Sequence, residues 1–152
     1  MKRLEFVLAI MLVSLFLSCD KDMDDIDRSE AEVNALILIV QEGEWKITNY
    51  TFEGSDETAN FSDYIFSFRE ENNLLASANS DEFIGTWRVS DDTGDEFDPF
   101  NDVDFNIFFN SSGKLGQLTN NYDVISATNS EIRLKLAANQ EQQTATLTFS
   151  RN

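Results

Sequence analysis

Eight short segments in which apolar and polar residues alternate constrain the fold of this chain more than any other feature. A period of two is typical of a β-strand that buries one of its faces. Turn-forming stretches such as EGSDET (53–58) and SSGK (111–114) separate the segments, which is typical of antiparallel sheets. The segments are WKITNYTF, DYIFSFR, NLLASA, FIGTWRV, VDFNIFF, NYDVISA, EIRLKL and TATLTFSR.

These eight segments predict an all-β fold, an eight-stranded antiparallel up-and-down barrel. Eight is a number of strands at which such a meander can close into a small barrel. The only proline, Pro99, lies between two of the segments and interrupts no strand. The alternative architecture is a two-sheet β-sandwich.

One short helix is predicted before the first strand. Ser29 and Glu32 fit a capping box, and Gly43 provides a stop signal. The pattern predicts a helix over residues 30–41 that packs its apolar face on the domain. The apolar residues at helical spacing are Val33, Leu36, Ile37 and Val40.

The chain begins with the three parts of a secretory signal. Two basic residues precede an apolar run from Phe6 to Leu17, and the small residue Ser18 comes directly before Cys19. The run is shorter than the roughly 20 residues that a helix needs to cross a bilayer. We therefore expect residues 1–18 to be removed, with an uncleaved membrane anchor as the alternative.

Composition divides the rest of the chain into two parts. Residues 19–29 are rich in aspartate and offer little to bury, so we expect a disordered, solvated tether. Residues 30–152 are expected to form one barrel domain with its N-terminal helix, because this length supports a single core.

Charge and missing residue types exclude several functions. The net charge of −17 makes nucleic acid an unfavourable partner. The absence of histidine excludes a Ser-His-Asp triad, a Cys-His pair and a histidine metal site, and the single cysteine excludes an intramolecular disulfide. We expect no catalytic residues, no metal site and no cofactor. The acidic stretch 91–104 does not match an EF-hand, and we expect a solvated loop there.

Gly43-Glu44-Trp45 opens the first predicted strand, and Arg151 stands at the end of the last one. This pattern resembles that of the lipocalins, in which an arginine from the final strand packs across the tryptophan of a Gly-x-Trp motif. The order of the helix, GEWKI, the Tyr-x-Phe-x-Phe strand, GTWRV, NYDVI and LTFSR is similar to that of small lipocalin-like lipoproteins of Gram-negative bacteria, over about residues 36–151. The resemblance implies that Trp45 and Arg151 close the barrel.

The positions predicted to face the barrel interior are strongly aromatic. These rings either fill a narrow barrel completely or line a pocket for an apolar or ring-bearing ligand. Besides Trp45, the candidate cavity residues are Tyr64, Phe66, Phe68, Phe83, Trp87, Phe105 and Phe149.

Phe16-Leu17-Ser18-Cys19 resembles a lipobox, although Phe16 replaces the usual aliphatic residue. The resemblance implies that Cys19 carries diacylglycerol and that the membrane is a partner through this lipid. The acidic run after Cys19 looks like a signal for the outer face of the outer membrane in some Gram-negative bacteria. It implies a lipid anchor in the outer membrane and exposure at the cell surface, with a periplasm-facing orientation as the alternative.

These features predict a membrane-anchored, lipocalin-like lipoprotein that binds a small hydrophobic or amphipathic ligand in its barrel. The alternative is a filled barrel that serves as a structural or interaction module of the cell envelope and meets an envelope protein through its acidic loops. A carboxylate-dependent hydrolase is the less favoured third hypothesis, because no pair of carboxylates stands out.

Overall fold

The computed structural model describes residues 21–91, 103–137 and 143–152. Within these ranges it contains one α-helix, nine β-strands and two short 3-10 helices. In chain order these are α1 (Lys21–Gln41), β1 (Trp45–Phe52), β2 (Ser55–Asp56), η1 (Thr58–Phe61), β3 (Ile65–Phe68), β4 (Asn73–Ala78), β5 (Asp81–Asp91), β6 (Val103–Phe108), η2 (Lys114–Leu118), β7 (Asn120–Ala127), β8 (Glu131–Leu136) and β9 (Ala145–Arg151).

The strands form one antiparallel sheet that closes on itself. From β3 to β9 each strand pairs with the next one in the chain, and β1 pairs with both β3 and β9. The β1–β9 pairing runs from Trp45 opposite Arg151 to Phe52 opposite Ala145. The predicted eight-stranded antiparallel barrel is confirmed, and the alternative of a two-sheet sandwich is wrong because the first and last strands are hydrogen-bonded neighbours.

The ninth strand, β2, is a two-residue addition to the barrel. It folds back on the end of β1, with Thr51 opposite Asp56 and Phe52 opposite Ser55. Glu53 and Gly54 occupy the turn with positive φ angles of 50° and 78°, a conformation that suits a tight hairpin. The EGSDET stretch, predicted as a turn, thus contains a turn and this short strand.

The helix begins nine residues earlier than the sequence predicts. It spans Lys21–Gln41, whereas the periodic pattern predicts residues 30–41. Adding residues to an existing helix fixes only one residue for each new hydrogen bond, and acidic residues are favourable near a helix N-terminus. Most of the segment predicted to be a disordered tether, residues 21–29, is therefore helical.

The two ends of the barrel differ in what covers them. Leu36 and Val40 of α1 are buried at the end where β1 begins and β9 ends, which we call the closed end. The opposite end, where β1 ends at Phe52 and β5 begins at Asp81, is called the open end. The core fills the space between them with inward-facing residues of every long strand.

Candidate ligand-binding site

Trp45 seals the closed end of the barrel. Its side chain is fully buried, and its Nε1–H donates a hydrogen bond of 2.8 Å to the carbonyl oxygen of Val40 in the last turn of α1. This bond satisfies an indole N–H that would be costly to bury unpaired. It also ties the helix directly to the first strand.

Arg151 covers the indole of Trp45. The two residues stand opposite each other in the β1–β9 pairing, and the guanidinium carbon lies 5.3 Å from the indole centroid. One guanidinium nitrogen, Nη2, lies 3.4 Å from Oε2 of Glu42. The structure therefore brings together the two residues predicted to close the barrel, in a cation–π contact.

Five of the predicted cavity residues pack against one another inside the barrel. The ring of Phe68 is central to this interior cluster: its centroid lies 5.4 Å from that of Phe149 and 5.6 Å from those of Phe105 and Trp87. All five side chains are buried, so this part of the interior is filled by rings in mutual contact. The five residues are Phe66, Phe68, Trp87, Phe105 and Phe149.

Tyr64 and Phe83, the other two predicted cavity residues, lie toward the open end. Their ring centroids are 6.0 Å apart, Tyr64 is half-buried, and Phe83 keeps 38% of its surface exposed. Tyr64 is also 6.4 Å from the buried ring of Phe61 in η1. Together with the half-buried Phe52 at the end of β1, these residues form what we call the aromatic rim: Phe52, Phe61, Tyr64 and Phe83.

Two tyrosines that the sequence analysis did not single out hold η2 at the open end. The Tyr50 hydroxyl donates to the carbonyl oxygen of Gln117 at 2.9 Å, and the Tyr122 hydroxyl donates to that of Leu118 at 3.1 Å. Leu115 and Leu118 of η2 are buried. The open end is therefore bordered by the aromatic rim and by a short helix held through tyrosine hydroxyls.

Burial changes the acidity of both hydroxyls. It raises the pKa of Tyr50 to about 12, and the nearby Glu57 carboxylate acts in the same direction. Burial also raises the pKa of Tyr122. Both hydroxyls therefore remain protonated at neutral pH and able to donate to η2.

A concave surface, the helix groove, lies outside the barrel between α1, the start of β6 and the end of β7. Its volume is about 300 Å³, at the low end for ligand sites. Ile125 in this groove is 47% exposed. The lining residues include Ala35, Leu36, Ile39, Val103, Val124 and Ile125.

Among the described residues, no group of three or more His, Cys, Asp or Glu side chains could hold a metal ion, and no charged side chain is buried. What the open end provides is aromatic surface, part of it exposed to solvent and part of it packed on the buried core. This combination suits non-covalent binding of an apolar or amphipathic molecule.

Three predicted features lie outside the described residues: the signal peptide over residues 1–18, Cys19 as the expected lipid attachment, and positions 92–102 of the acidic stretch. Over the ranges that the structure describes, no helix combines the length and the apolar character that crossing a membrane requires. Comparisons with models of protein families, with curated proteins and with solved structures found no match to this chain.

Proposed function

We propose that this chain is a lipid-anchored, lipocalin-like lipoprotein of the outer membrane that binds a small hydrophobic or amphipathic molecule at the open end of its barrel. The observation that carries this proposal is the contrast between a closed end sealed by Trp45 and an open end with partly exposed rings. Contact between exposed aromatic surface and water is unfavourable in free energy. An apolar ligand that covers this surface would therefore bind favourably.

The position of the interior cluster determines how deep such a ligand can lie. Phe68 and its neighbours fill the middle of the barrel, so a ligand would rest on the aromatic rim above them. Tyr64 and Phe83 offer ring faces for stacking, and solvent remains within reach of a polar group on the ligand. This favours a small amphipathic molecule over a long one that needs a deep cavity.

The proposed membrane attachment rests on the lipobox-like sequence that ends at Cys19, and the course of the helix determines which end of the barrel such an anchor would lead to. The helix begins at Lys21 and ends at Gln41 beside Trp45, at the closed end. An anchor at Cys19 would therefore lead into the closed end, and the aromatic rim would lie at the end of the barrel that the helix does not cover.

Ligand binding can be tested with the apolar fluorescent probe N-phenyl-1-naphthylamine. The probe should bind the purified protein, and the double variant Tyr64→Ala/Phe83→Ala should bind about tenfold more weakly because it loses two stacking surfaces. Phe108→Ala is the matched control, since Phe108 is 51% exposed on the outer face of β6. Equal loss in the control, or no binding by the unaltered protein, would contradict the proposal.

Lipid attachment has a separate test. Cells expressing the chain and supplied with radiolabelled palmitate should label the protein, and Cys19→Ala should abolish the label and release the protein from the membrane fraction. Retention of the label in the variant would exclude Cys19 as the attachment site. This result would leave the ligand proposal untouched.

A second candidate function, an interaction module of the cell envelope, is favoured by the filled interior and by the outer face of the barrel. Ile84 on β5 is 76% exposed and Phe108 on the neighbouring β6 is 51% exposed. This function would be favoured over the first if the unaltered protein bound no apolar probe but captured an envelope protein. The double variant Ile84→Ser/Phe108→Ser should then no longer capture that protein.

A further inference from the structure

The outer face of β8, β9 and β1 differs from the rest of the surface. Its outward positions carry hydroxyl and basic side chains, and the exposed large hydrophobic residues of the described chain all lie on other elements. We call this surface the hydroxyl face. It consists of Lys46, Thr48, Asn49, Thr51, Arg133, Lys135, Thr146, Thr148 and Ser150.

Hydrogen bonds between strands hold the hydroxyls in place. The Thr51 and Thr146 hydroxyl oxygens are 2.7 Å apart, and those of Thr48 and Ser150 are 2.8 Å apart. Asn49 Nδ2 donates to the Thr146 hydroxyl at 3.2 Å. Because the threonine side chains are also stiff about χ1, this array loses little conformational entropy when it binds a partner.

The ordered hydroxyls keep hydrogen-bonding capacity for a partner. Each hydroxyl has one donor and two acceptor positions, so the single bonds of Thr48, Thr51 and Ser150 and the two bonds of Thr146 do not saturate them. The array extends across β9 and β1 as a surface and does not converge on a pocket. It therefore suits an extended partner with many hydroxyl groups of its own.

Basic side chains flank this array on both sides. Lys46 of β1 stands opposite Ser150, while Arg133 and Lys135 of β8 stand opposite Thr148 and Thr146. The two basic strands are separated by β9, which places them about 10 Å apart. Negative groups along one extended partner could reach both sides while its hydroxyls lie over β9.

The charge of this face contrasts with that of the whole chain. The protein has a net charge of −17, yet the outward positions of β1, β8 and β9 hold three basic residues and one acidic residue, Glu131. Asp123 of β7, which stands opposite Lys135, borders the face. The large negative net charge would repel a polyanion, whereas the three basic side chains of this face would attract it.

We infer that the hydroxyl face binds an anionic polysaccharide. The ordered threonine and serine hydroxyls bond to sugar hydroxyls, and Lys46, Arg133 and Lys135 pair with its negative groups. The absence of large exposed apolar residues on these three strands disfavours an apolar protein partner or insertion into a membrane. This inference is independent of what the open end of the barrel binds.

Binding to immobilised polygalacturonate at low salt tests the charged part of the inference. The unaltered protein should bind it and should not bind neutral dextran of similar length. The variant Lys46→Gln/Arg133→Gln/Lys135→Gln should bind about tenfold more weakly, the sum expected of a few exposed ion pairs. The matched control Arg69→Gln/Arg88→Gln/Lys114→Gln has the same change in charge at exposed positions elsewhere and should keep its affinity.

Two further arms test the choice of partner. Thr146→Val/Thr148→Val removes hydroxyls without changing charge and should also weaken binding to polygalacturonate. Vesicles of phosphatidylserine, which are anionic but carry no hydroxyl group on their head group, should not bind through this face. No binding to polygalacturonate, equal loss in the control variant, unchanged binding in the threonine variant, or stronger binding to the vesicles would each overturn the inference.

Discussion

The two ends of the barrel use aromatic residues for different purposes. At the closed end, Trp45 is fully buried, hydrogen-bonded to α1 and covered by Arg151. At the open end, Tyr64 and Phe83 are in ring contact but remain partly exposed. Aromatic rings therefore stabilise the fold at one end and leave a surface for binding at the other.

The largest difference between the ends should appear when a ring is removed. Trp45→Ala should lower the free energy of unfolding by about 3 to 5 kcal/mol, because a large buried side chain is lost together with its contacts. Phe83→Ala at the open end is the matched comparison and should cost far less, since Phe83 is already 38% exposed. Chemical denaturation would rank the two variants, and equal losses would contradict the distinction between the ends.

A close backbone contact shows that part of the open end is also tightly packed. A Cβ added to Gly85 would lie 2.5 Å from the carbonyl oxygen of Phe108 and 2.7 Å from the ring of Phe109. Phe109 in turn receives a hydrogen bond on its carbonyl from Thr119, directly after η2. Gly85→Ala should therefore destabilise the protein by about 1 to 3 kcal/mol through overpacking.

Thermal unfolding would measure the effect of this substitution. Gly54→Ala is a suitable comparison, because a Cβ at this position has no neighbour within 4 Å. Any loss of stability in that variant would come from the positive φ angle alone and not from packing. If Gly85→Ala were neutral, the packing of Phe109 against β5 would not be as described.

Arg151 should contribute less than the ring that it covers. Arg151→Met keeps much of the apolar stem and removes the charge, so it should cost about 0.5 to 2 kcal/mol, the range of a cation–π contact. The contact with Glu42 adds little, since the carboxylate of that pair is well exposed. Chemical denaturation of Arg151→Met and of Glu42→Gln would separate the contributions of the two contacts. An unchanged free energy of unfolding in Arg151→Met would contradict the role of Arg151 in barrel closure.

The smallest effect concerns Tyr50 and its dependence on pH. The folded protein holds the Tyr50 proton more tightly than the unfolded chain, because its pKa is raised from 10.0 to about 12. This stabilisation is fully present below pH 10 and is lost as the pH rises through 12. Tyr50→Phe should cost about 1 kcal/mol at neutral pH through the lost hydrogen bond.

Denaturation series at several alkaline pH values would check this prediction. Stability of the unaltered protein should fall as the pH rises above 10, and it should fall less steeply in Tyr50→Phe. The pKa of Tyr122 is also raised by burial, so the stability of Tyr50→Phe should still fall with rising pH, although less steeply. An unchanged slope would show that Tyr50 is not buried at the open end as described.

The strands and the closed end are predictable from the sequence for physical reasons. Side chains alternate across a strand with a period of two, so the pattern of each segment indicates its buried face. Closure of an eight-stranded meander makes the first and last strands antiparallel neighbours, so Trp45 and Arg151 are expected to lie side by side.

The open end is not predictable in the same way. A bulge between Ile47 and Asn49 shifts the register of β1, so Tyr50 faces inward where strict alternation would turn it outward. The helices η1 and η2 have only one turn each and carry no periodic signal. Tyr122 is an exception at the open end. It alternates with Val124 along β7, so its inward position could have been predicted from the sequence.

Mapping where an apolar molecule binds would test the proposed site directly. In a two-dimensional NMR titration of the purified protein with N-phenyl-1-naphthylamine, backbone amide signals at the aromatic rim and in η2 should shift. Those of Trp45, Val40 and Arg151 at the closed end should remain in place. Shifts confined to the closed end or to the helix groove, or no shifts at all, would contradict the proposal that the open end of this barrel is its ligand-binding site.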